Sequence, residues 1–241
     1  MIPNPHPGIF IAFEGIDGCG KTVQLGRTEA WLNSFTGLGC SEGRILSTKK
    51  FFIKLAKEPG KERFYGKKIY ADLTNKNADA LHKKDPYGFQ AWYACDSREN
   101  LMENIVPALQ TGSVVLCDRF RPSMVYGVQT LGDQQTLSEV SALMALNQAI
   151  IGNDFIWPDL ILIFNIAVDA AIQRLKNKNK DLDEYEKSAV LTIVRKNYLL
   201  FDERYPNCRI VNGEKTEEGV FEDVKKLVLP VIEAKGGSLC N

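Results

Sequence analysis

Short apolar segments alternate with longer amphipathic segments along most of the chain. Continuous apolar runs of about four to eight residues are typical of strands buried on both faces, and they predict strands at 9–14, 113–117, 159–166 and 208–211, with a further strand near 51–56. Apolar residues that recur about every three or four positions predict helices at 21–35, 87–110, 136–151, 168–176, 184–203 and 217–233. The segments 36–50 and 57–86 are rich in Lys, Gly and Asn and are predicted to be loops. This alternation indicates an α/β fold, with a parallel sheet flanked by helices.

The composition fits a single globular domain over residues 1–241. Of the 241 residues, 44% are hydrophobic and 25% are charged, and no internal repeat or linker divides the chain. The 30 basic residues balance the 30 acidic ones, so neither nucleic acid nor an anionic membrane is an expected partner. No apolar run could span a membrane, no export signal is evident, and the six cysteines lack metal-ligand spacing. We therefore expect a cytoplasmic protein with reduced cysteines.

The segment FIAFEGIDGCGKTVQ, residues 10–24, joins the first predicted strand to the first predicted helix. It contains the spacing G-x-x-x-x-G-K-T, which is typical of a phosphate-binding loop, or P-loop. The glycines allow positive φ angles, so that consecutive backbone N–H groups face an anion at the start of a helix. The Lys21 side chain would reach the β- and γ-phosphates of ATP, and the Thr22 hydroxyl would ligate magnesium. The predicted ATP-binding residues are Gly15, Ile16, Asp17, Gly18, Cys19, Gly20, Lys21, Thr22 and Val23.

A second pair of charged residues follows the predicted strand 113–117. Asp118 and Arg119 come directly after the apolar run VVLC. The carboxyl ends of strands in a parallel sheet face the ligand crevice, so both side chains are expected there. Asp118 would hold magnesium together with Thr22, and Arg119 would bind a phosphate through two parallel hydrogen bonds. We therefore predict Lys21, Asp118 and Arg119 as catalytic residues.

Four segments together resemble the thymidylate kinase family, whose members transfer the γ-phosphoryl group of ATP to dTMP. They are FIAFEGIDGCGKT, KEPG at 57–60, WYACDSRENLMENIVPALQTGSVVLCDRF and PDLILIFNIAVDAAIQRL. The P-loop alone is shared by many unrelated ATPases and GTPases, so the resemblance depends on the combination. It implies a P-loop fold like that of the nucleoside monophosphate kinases, with a short lid at about 176–187. It also implies Mg²⁺ as cofactor, ATP and dTMP as small-molecule ligands, and a homodimer.

The resemblance also implies how the monophosphate would be bound. Asp17 is similar to the family's carboxylate that hydrogen-bonds the deoxyribose 3′-hydroxyl. Arg119 and Lys57 would hold the phosphate, and Tyr93 stands where the family has a phenylalanine that stacks on thymine. An aromatic face suits a flat base, although a tyrosine on the buried side of a helix is equally typical of a core. Tyr126 belongs to this group by its place in a segment one residue shorter than that of the family.

The chain departs from the family pattern on the helix that follows Tyr93. The family's base-reading arginine aligns with Ser97, whereas the arginine of this chain is Arg98. One residue on a helix is about 100° of rotation, so Arg98 does not share the face of Tyr93. Both Ser97 and Arg98 therefore remain candidates for binding the base.

The lid departs from the family pattern as well. Its sequence, KNKNKDLDEYEK at 176–187, has Glu184 where bacterial relatives have an arginine, and lysines 176, 178 and 180 are the nearby cations. Lys178 and Lys180 are predicted to act in catalysis as point charges near the transferred phosphoryl group. The alternative is that this charged run is a solvated loop.

Two alternatives to a thymidylate kinase stay open at this point. One is a nucleoside monophosphate kinase of the same fold that acts on another base, and the other is a relative that binds nucleotides without catalysis. The presence of Lys21, Thr22, Asp118 and Arg119 favours an enzyme. Because Cys19 would lie beside Lys21 at a helix N-terminus, we also expect its thiol to ionise readily.

Overall fold

The computed structural model describes residues 2–34, 52–128, 137–177, 188–205 and 207–235. In chain order its strands are β1 (Ile2–Pro3), β2 (Ile9–Gly15), β3 (Ile53–Lys57), β4 (Val114–Asp118), β5 (Ile156–Trp157), β6 (Leu160–Asn165) and β7 (Cys208–Asn212). Five of them form one parallel sheet in the order β3-β4-β2-β6-β7, and β1 pairs with β5 in a separate short parallel ladder. The predicted parallel α/β sheet is therefore confirmed.

Helices connect and cover these strands. They are α1 (Lys21–Ser34), α2 (Phe64–Thr74), α3 (Leu81–Lys84), α4 (Pro86–Asn100), α5 (Val106–Gln110), α6 (Val125–Val128), α7 (Leu137–Ile151), α8 (Val168–Lys176), α9 (Ser188–Arg204) and α10 (Glu217–Ala234). A π-helical turn, Leu101–Ile105, joins α4 to α5, and single 3₁₀ turns occupy Arg121–Met124 and Gly152–Asp154. No helix among the described ranges has the length and apolar character needed to cross a membrane.

The central strands β2 and β4 are apolar except at Glu14 and Asp118, because helices cover both faces of the sheet. All seven residues of β2 and all five of β4 are buried. On β2, Ala12 lies between Cys117 of β4 and Ile161 of β6, so this strand has a partner on each side. The continuous apolar runs in the sequence thus correspond to strands with no solvent-facing side.

The segment 57–86 is not the loop that we predicted, because α2 and α3 lie within it. Only Gly66 and Ile69 of α2 are buried, so the helix has little apolar surface in the core. The loop prediction was wrong because it rested on the Lys, Gly and Asn content of the segment, whereas packing against α4 stabilises this helix. Of the predicted lid, residues 178–187 lie outside the described residues, including Lys178, Lys180 and Glu184.

The sheet order brings the ends of three strands together. In the register of the sheet, Lys57 at the end of β3 and Phe13 of β2 both pair with Asp118 at the end of β4. The P-loop follows β2 directly, and the KEPG segment begins at the end of β3. Segments separated by about a hundred residues in sequence therefore meet at one edge of the sheet, where ligands of parallel α/β folds bind.

Candidate active site

The P-loop forms a tight turn between β2 and α1. Three of its glycines have positive φ, with values of 135° at Gly15, 83° at Gly18 and 96° at Gly20. A Cβ atom at Gly15 would lie 2.6 Å from the Phe164 carbonyl oxygen, and one at Gly18 would lie 2.5 Å from that of Ala171. Glycine is therefore required at both positions by conformation and by space. The loop leads straight into the N-terminus of α1, as a phosphate-binding loop does.

The side chains of the loop serve different purposes. Ile16 and Cys19 are buried in the core, so these two residues can offer a nucleotide only their backbone groups. The Val23 side chain is exposed. Lys21 is almost fully buried, and its Nζ atom lies 3.3 Å from Asp17 Oδ1. Of the predicted ATP-binding residues, Lys21 thus supplies the buried cation.

The expected thiolate at Cys19 was wrong. Burial raises the pKa of the Cys19 thiol, and the Lys21 ammonium opposes this effect only in part. The side chain is 2% exposed, so a reagent in solution has little access to the sulfur. The positive charge near the sulfur was anticipated, but the desolvation of the thiol outweighs it.

Asp118 and Thr22, the two residues that we predict to hold magnesium, contact each other. The Thr22 hydroxyl donates to Asp118 Oδ2 over 3.2 Å, and the Lys57 Nζ atom lies 3.3 Å from the same oxygen. The other oxygen, Oδ1, is buried and has no hydrogen-bond partner among the described residues. An unpartnered buried carboxylate oxygen is costly, and a divalent cation would satisfy it. A hydroxyl and one carboxylate are the donors by which Mg²⁺ is held beside phosphates, so the residues fit this ion.

Arg119 adopts a conformation that is rare for a side-chain-bearing residue. Among the described residues it is the non-glycine residue with positive φ, at 70°. Its Nη2 atom donates to Asp17 Oδ1 over 2.6 Å, and its Nη1 atom donates to the Gly15 carbonyl over 3.3 Å. The guanidinium also lies over the Tyr126 ring, 4.9 Å from its centroid. These contacts hold the arginine against the P-loop.

A buried carboxyl group beneath Arg119 was missed by the sequence reasoning. Glu14 accepts hydrogen bonds from the Phe120 backbone N–H over 2.6 Å, the Ser123 hydroxyl over 2.6 Å and the Tyr198 hydroxyl over 2.9 Å. Burial raises the pKa of Glu14 to about 7, although the Ser123 hydrogen bond and the Arg119 charge lower it. The sequence did contain a signal for this group, because Glu14 is an acidic residue within the otherwise apolar β2.

A cavity of about 340 Å³ opens beside Arg119. Six residues that were predicted to bind the substrate line it: Asp17, Lys57, Tyr93, Ser97, Arg119 and Tyr126. The Tyr93 ring also packs edge-on against the buried Phe89, with 5.4 Å between centroids, so it contacts both core and cavity. Arg98 is exposed, and the structure does not bring it to this cavity.

Two further buried charges lie along the cavity wall. Glu58 Oε1 accepts from the Ser97 hydroxyl over 3.0 Å and from Asn100 Nδ2 over 3.1 Å. Burial raises the pKa of Glu58 to about 7, and the positive charge of Arg121 partly offsets this. Arg121 is 3% exposed and lines the same cavity. Neither residue was among the predicted site residues, since nothing local in the sequence places them together.

An ion pair fixes the KEPG segment on α4. Arg63 Nη2 lies 2.5 Å from Asp96 Oδ2, and both groups are nearly buried. The Asp96 carboxylate also accepts from the Gly60 backbone N–H over 3.2 Å. The wall of the cavity that carries Lys57 and Glu58 is thereby attached to the helix that carries Tyr93 and Ser97.

Comparison with known proteins adds the family. The family model for thymidylate kinase matches residues 43–224. The thymidylate kinase of Thermosipho africanus is 32% identical over 224 residues, which are 91% of this chain and 97% of that protein. The probable thymidylate kinase of Pyrococcus horikoshii is 30% identical over 223 residues, or 92% and 96% of the two chains. The thymidylate kinase of Caldicellulosiruptor saccharolyticus is 31% identical over 229 residues, with 92% and 96% covered. The chain belongs to the thymidylate kinase family.

Proposed function

We infer that the protein transfers the γ-phosphoryl group of ATP to dTMP, giving dTDP and ADP. One observation supports this function above the others. Asp17 Oδ1 lies 3.3 Å from the Lys21 ammonium of the P-loop and 2.6 Å from the Arg119 guanidinium of the cavity. The two cations thus converge on one oxygen. A phosphate bound by Lys21 would therefore face a phosphate bound by Arg119. That is the arrangement required to pass a phosphoryl group between two nucleotides.

Charge neutralisation is the main task of such a site. The triphosphate and the monophosphate repel each other, and a phosphate oxygen of dTMP must approach the γ-phosphorus while the bond to ADP breaks. Lys21 and the P-loop N–H groups would hold the triphosphate, and Arg119 and Lys57 would hold the monophosphate. Because these groups are already fixed by packing and hydrogen bonds, little reorganisation is needed when the reaction begins.

We propose Mg²⁺ as the cofactor. Thr22 and Asp118 would hold it, and the metal would supply positive charge to the β- and γ-phosphates. Lys57, which we propose to bind the monophosphate, contacts the Asp118 carboxylate that would hold the metal. The proposed contacts of the nucleoside are Asp17 with the 3′-hydroxyl and Tyr93 with the base. The Tyr126 hydroxyl accepts a hydrogen bond from the Asp17 backbone N–H over 3.0 Å, so we propose that Tyr126 contributes to the substrate site by positioning Asp17.

Four further expectations remain proposals. They are catalytic charge from Lys178 and Lys180 in a lid at 176–187, a single domain over residues 1–241, a homodimer, and a location in the cytoplasm. Removing both lysine charges by substitution with glutamine would test the first of them, since kcat should fall while KM for ATP changes little.

A panel of monophosphates tests the proposed function. Purified protein is given ATP with dTMP, dUMP, dCMP, dGMP or AMP, with and without magnesium, and ADP release is measured. We expect the highest kcat/KM for dTMP, a value about 10- to 200-fold lower for dUMP, which lacks one methyl group, and no turnover without the metal. A stronger preference for another monophosphate would show a kinase for a different base. ATP binding without any turnover would show a non-catalytic relative.

A further inference from the structure

The cavity contains an arginine whose hydrogen-bonding capacity is largely unused. Arg121 is 3% exposed, and its guanidinium lies between the rings of Phe120 and Phe155, 4.4 Å and 4.2 Å from their centroids. Its Nη1 atom is 3.4 Å from the Ser97 hydroxyl, and its Nη2 atom is 3.5 Å from the Ile156 carbonyl. Both distances exceed the usual range of about 2.7–3.2 Å. Nε has no hydrogen-bond partner among the described residues.

A buried guanidinium with two long contacts is under-satisfied. It has five N–H groups and can accept nothing, so its missing partners must be acceptors. The Ser97 hydroxyl donates a hydrogen bond to Glu58 and accepts a long one from Arg121. Arg121 is therefore linked to the buried Glu58 carboxyl group only through Ser97, and most of its N–H groups still lack an acceptor. The aromatic rings on either side of Arg121 stabilise its charge but provide no lone pairs.

The position of Arg121 relative to α4 indicates what the acceptor is. Tyr93 and Ser97 are one helical turn apart on α4, and both line the cavity. A base that stacks on Tyr93 would therefore present its edge towards Ser97 and the guanidinium beside it. Gln90 and Asn147, which have amide side chains, also line this cavity, as do the apolar residues Leu73 and Met124. An edge with a carbonyl oxygen would complete the hydrogen bonding of Arg121.

We propose that Arg121 determines base specificity by donating hydrogen bonds to the carbonyl oxygen at position 4 of thymine. The proposal rests on the proposed function and names the residue that reads the base. Cytosine has an amino group at this position. The amino group and the Arg121 guanidinium are both hydrogen-bond donors, so each would be buried without an acceptor. Arg98 cannot do the same, since it is exposed and outside the cavity lining.

Steady-state kinetics with dTMP and dCMP test the proposal. In Arg121→Met the apolar stem is kept and the donors are removed, and Arg204→Met removes an exposed arginine at the end of α9 as a control. We expect kcat/KM for dTMP to fall about 10- to 150-fold in Arg121→Met, the loss of a hydrogen bond to a charged group. The value for dCMP should change less than about threefold, so the ratio of the two substrates collapses, whereas Arg204→Met keeps both values.

Several results would overturn the proposal. If kcat/KM falls equally for dTMP and dCMP in Arg121→Met, Arg121 is a structural residue. If kcat/KM changes for neither substrate, Arg121 does not take part in recognising the base. A collapse of the ratio in Arg98→Met but not in Arg121→Met would assign the role to Arg98. Thermal unfolding and ATP binding report whether each variant is folded.

A second measurement uses the unaltered protein, so it does not depend on the folding of a variant. A dTMP analogue that lacks the oxygen at position 4 should be phosphorylated about 10- to 150-fold less efficiently than dTMP, and equal efficiency would overturn the proposal. If the unaltered protein does not phosphorylate dTMP at all, the proposed function itself fails. The two failures are thus distinguishable.

Discussion

Among single residues, Lys21 combines burial, charge and position at the P-loop. Its side chain is 7% exposed and contacts Asp17, so its charge is held at the P-loop, where we propose that it binds the γ-phosphate of ATP. We expect Lys21→Ala to lower kcat at least about a hundredfold, because a preorganised cation is lost from the transition state. Lys226→Ala, which removes an exposed lysine from α10, is the matched control and should retain full activity. Near-normal turnover in a folded Lys21→Ala protein would contradict the assignment.

Two buried carboxyl groups make stability depend on pH. Burial raises the pKa of Glu14 and that of Glu58 from 4.5 to about 7. The folded protein therefore binds these protons more tightly than the unfolded chain, and the free energy of unfolding falls as the pH rises from about 5 to 8. Each group contributes at most about 1.4 kcal/mol per pH unit to this slope. Thermal unfolding of the nucleotide-free protein across this range measures the effect.

Amide substitutions test whether these two carboxyl groups cause the pH dependence of stability. Glu14→Gln and Glu58→Gln cannot ionise, so each should have a smaller dependence of Tm on pH than the unaltered protein. Glu222→Gln, at an exposed position of α10, should leave the slope unchanged. If all three variants keep the slope of the unaltered protein, the two buried groups do not titrate in this range.

On the scale of elements, the P-loop depends on its close approach to α8. Gly18→Ala would combine a φ of 83° with a Cβ atom 2.5 Å from the Ala171 carbonyl oxygen. Gly112, in the turn between α5 and β4, has a φ of 79° and open space around its Cβ position. Both alanine variants should lose about 1 kcal/mol from the backbone conformation. Only Gly18→Ala should lose about a further 1–3 kcal/mol of unfolding free energy, because the P-loop must move away from α8. The same movement should weaken its affinity for ATP.

Calorimetric ATP titration and thermal unfolding of the two variants measure this difference. Because the φ angles match, the comparison isolates the contact between the loop and the helix. Equal stability and equal ATP affinity in the two variants would mean that α8 can retreat from the loop without consequence.

The sequence revealed those elements whose signal is local. The strands β2, β4 and β6 were predictable because they are buried on both faces. The P-loop and the pair Asp118-Arg119 were predictable because each is a motif of residues close together in the sequence. The helix α2 was not predicted, because its segment is rich in polar residues and only two of its residues are buried in the folded chain. The bond between Tyr198 and Glu14 joins residues 184 positions apart, and Arg121 meets Ser97 across 24 positions. Such contacts depend on the folded chain and cannot be inferred from either residue alone.

For the whole molecule, the exposed apolar side chains favour association of two chains. Phe52 and Leu55 are exposed at the sheet edge formed by β3, Met102 is exposed on the π-helical turn that packs against β3, and Phe64 is exposed on α2. Large exposed apolar side chains that lie near one another are typical of interfaces. We expect light scattering after size-exclusion chromatography to give twice the chain mass of 27.0 kDa. Met102→Glu should shift the mass towards the monomer, and Ile210→Glu, at another exposed apolar position, should not.

A mass of 27.0 kDa at all concentrations would contradict the homodimer. A dimer that persists in Met102→Glu would place the interface elsewhere on the surface.

The position of Asp17 between Lys21 and Arg119 means that an anion which binds these cations must compete with a carboxylate of the protein. The Asp17 carboxylate is paired with both cations, at 3.3 Å and 2.6 Å, so neither is buried without a counter-charge. An incoming anion gains only the difference between its own pairing and the one it displaces. Chloride, with one charge and no fixed geometry, gains little from this exchange, whereas a phosphate can offer several oxygens to the guanidinium at once. We therefore expect this pair of cations to favour phosphate over simple anions independently of the base and the sugar.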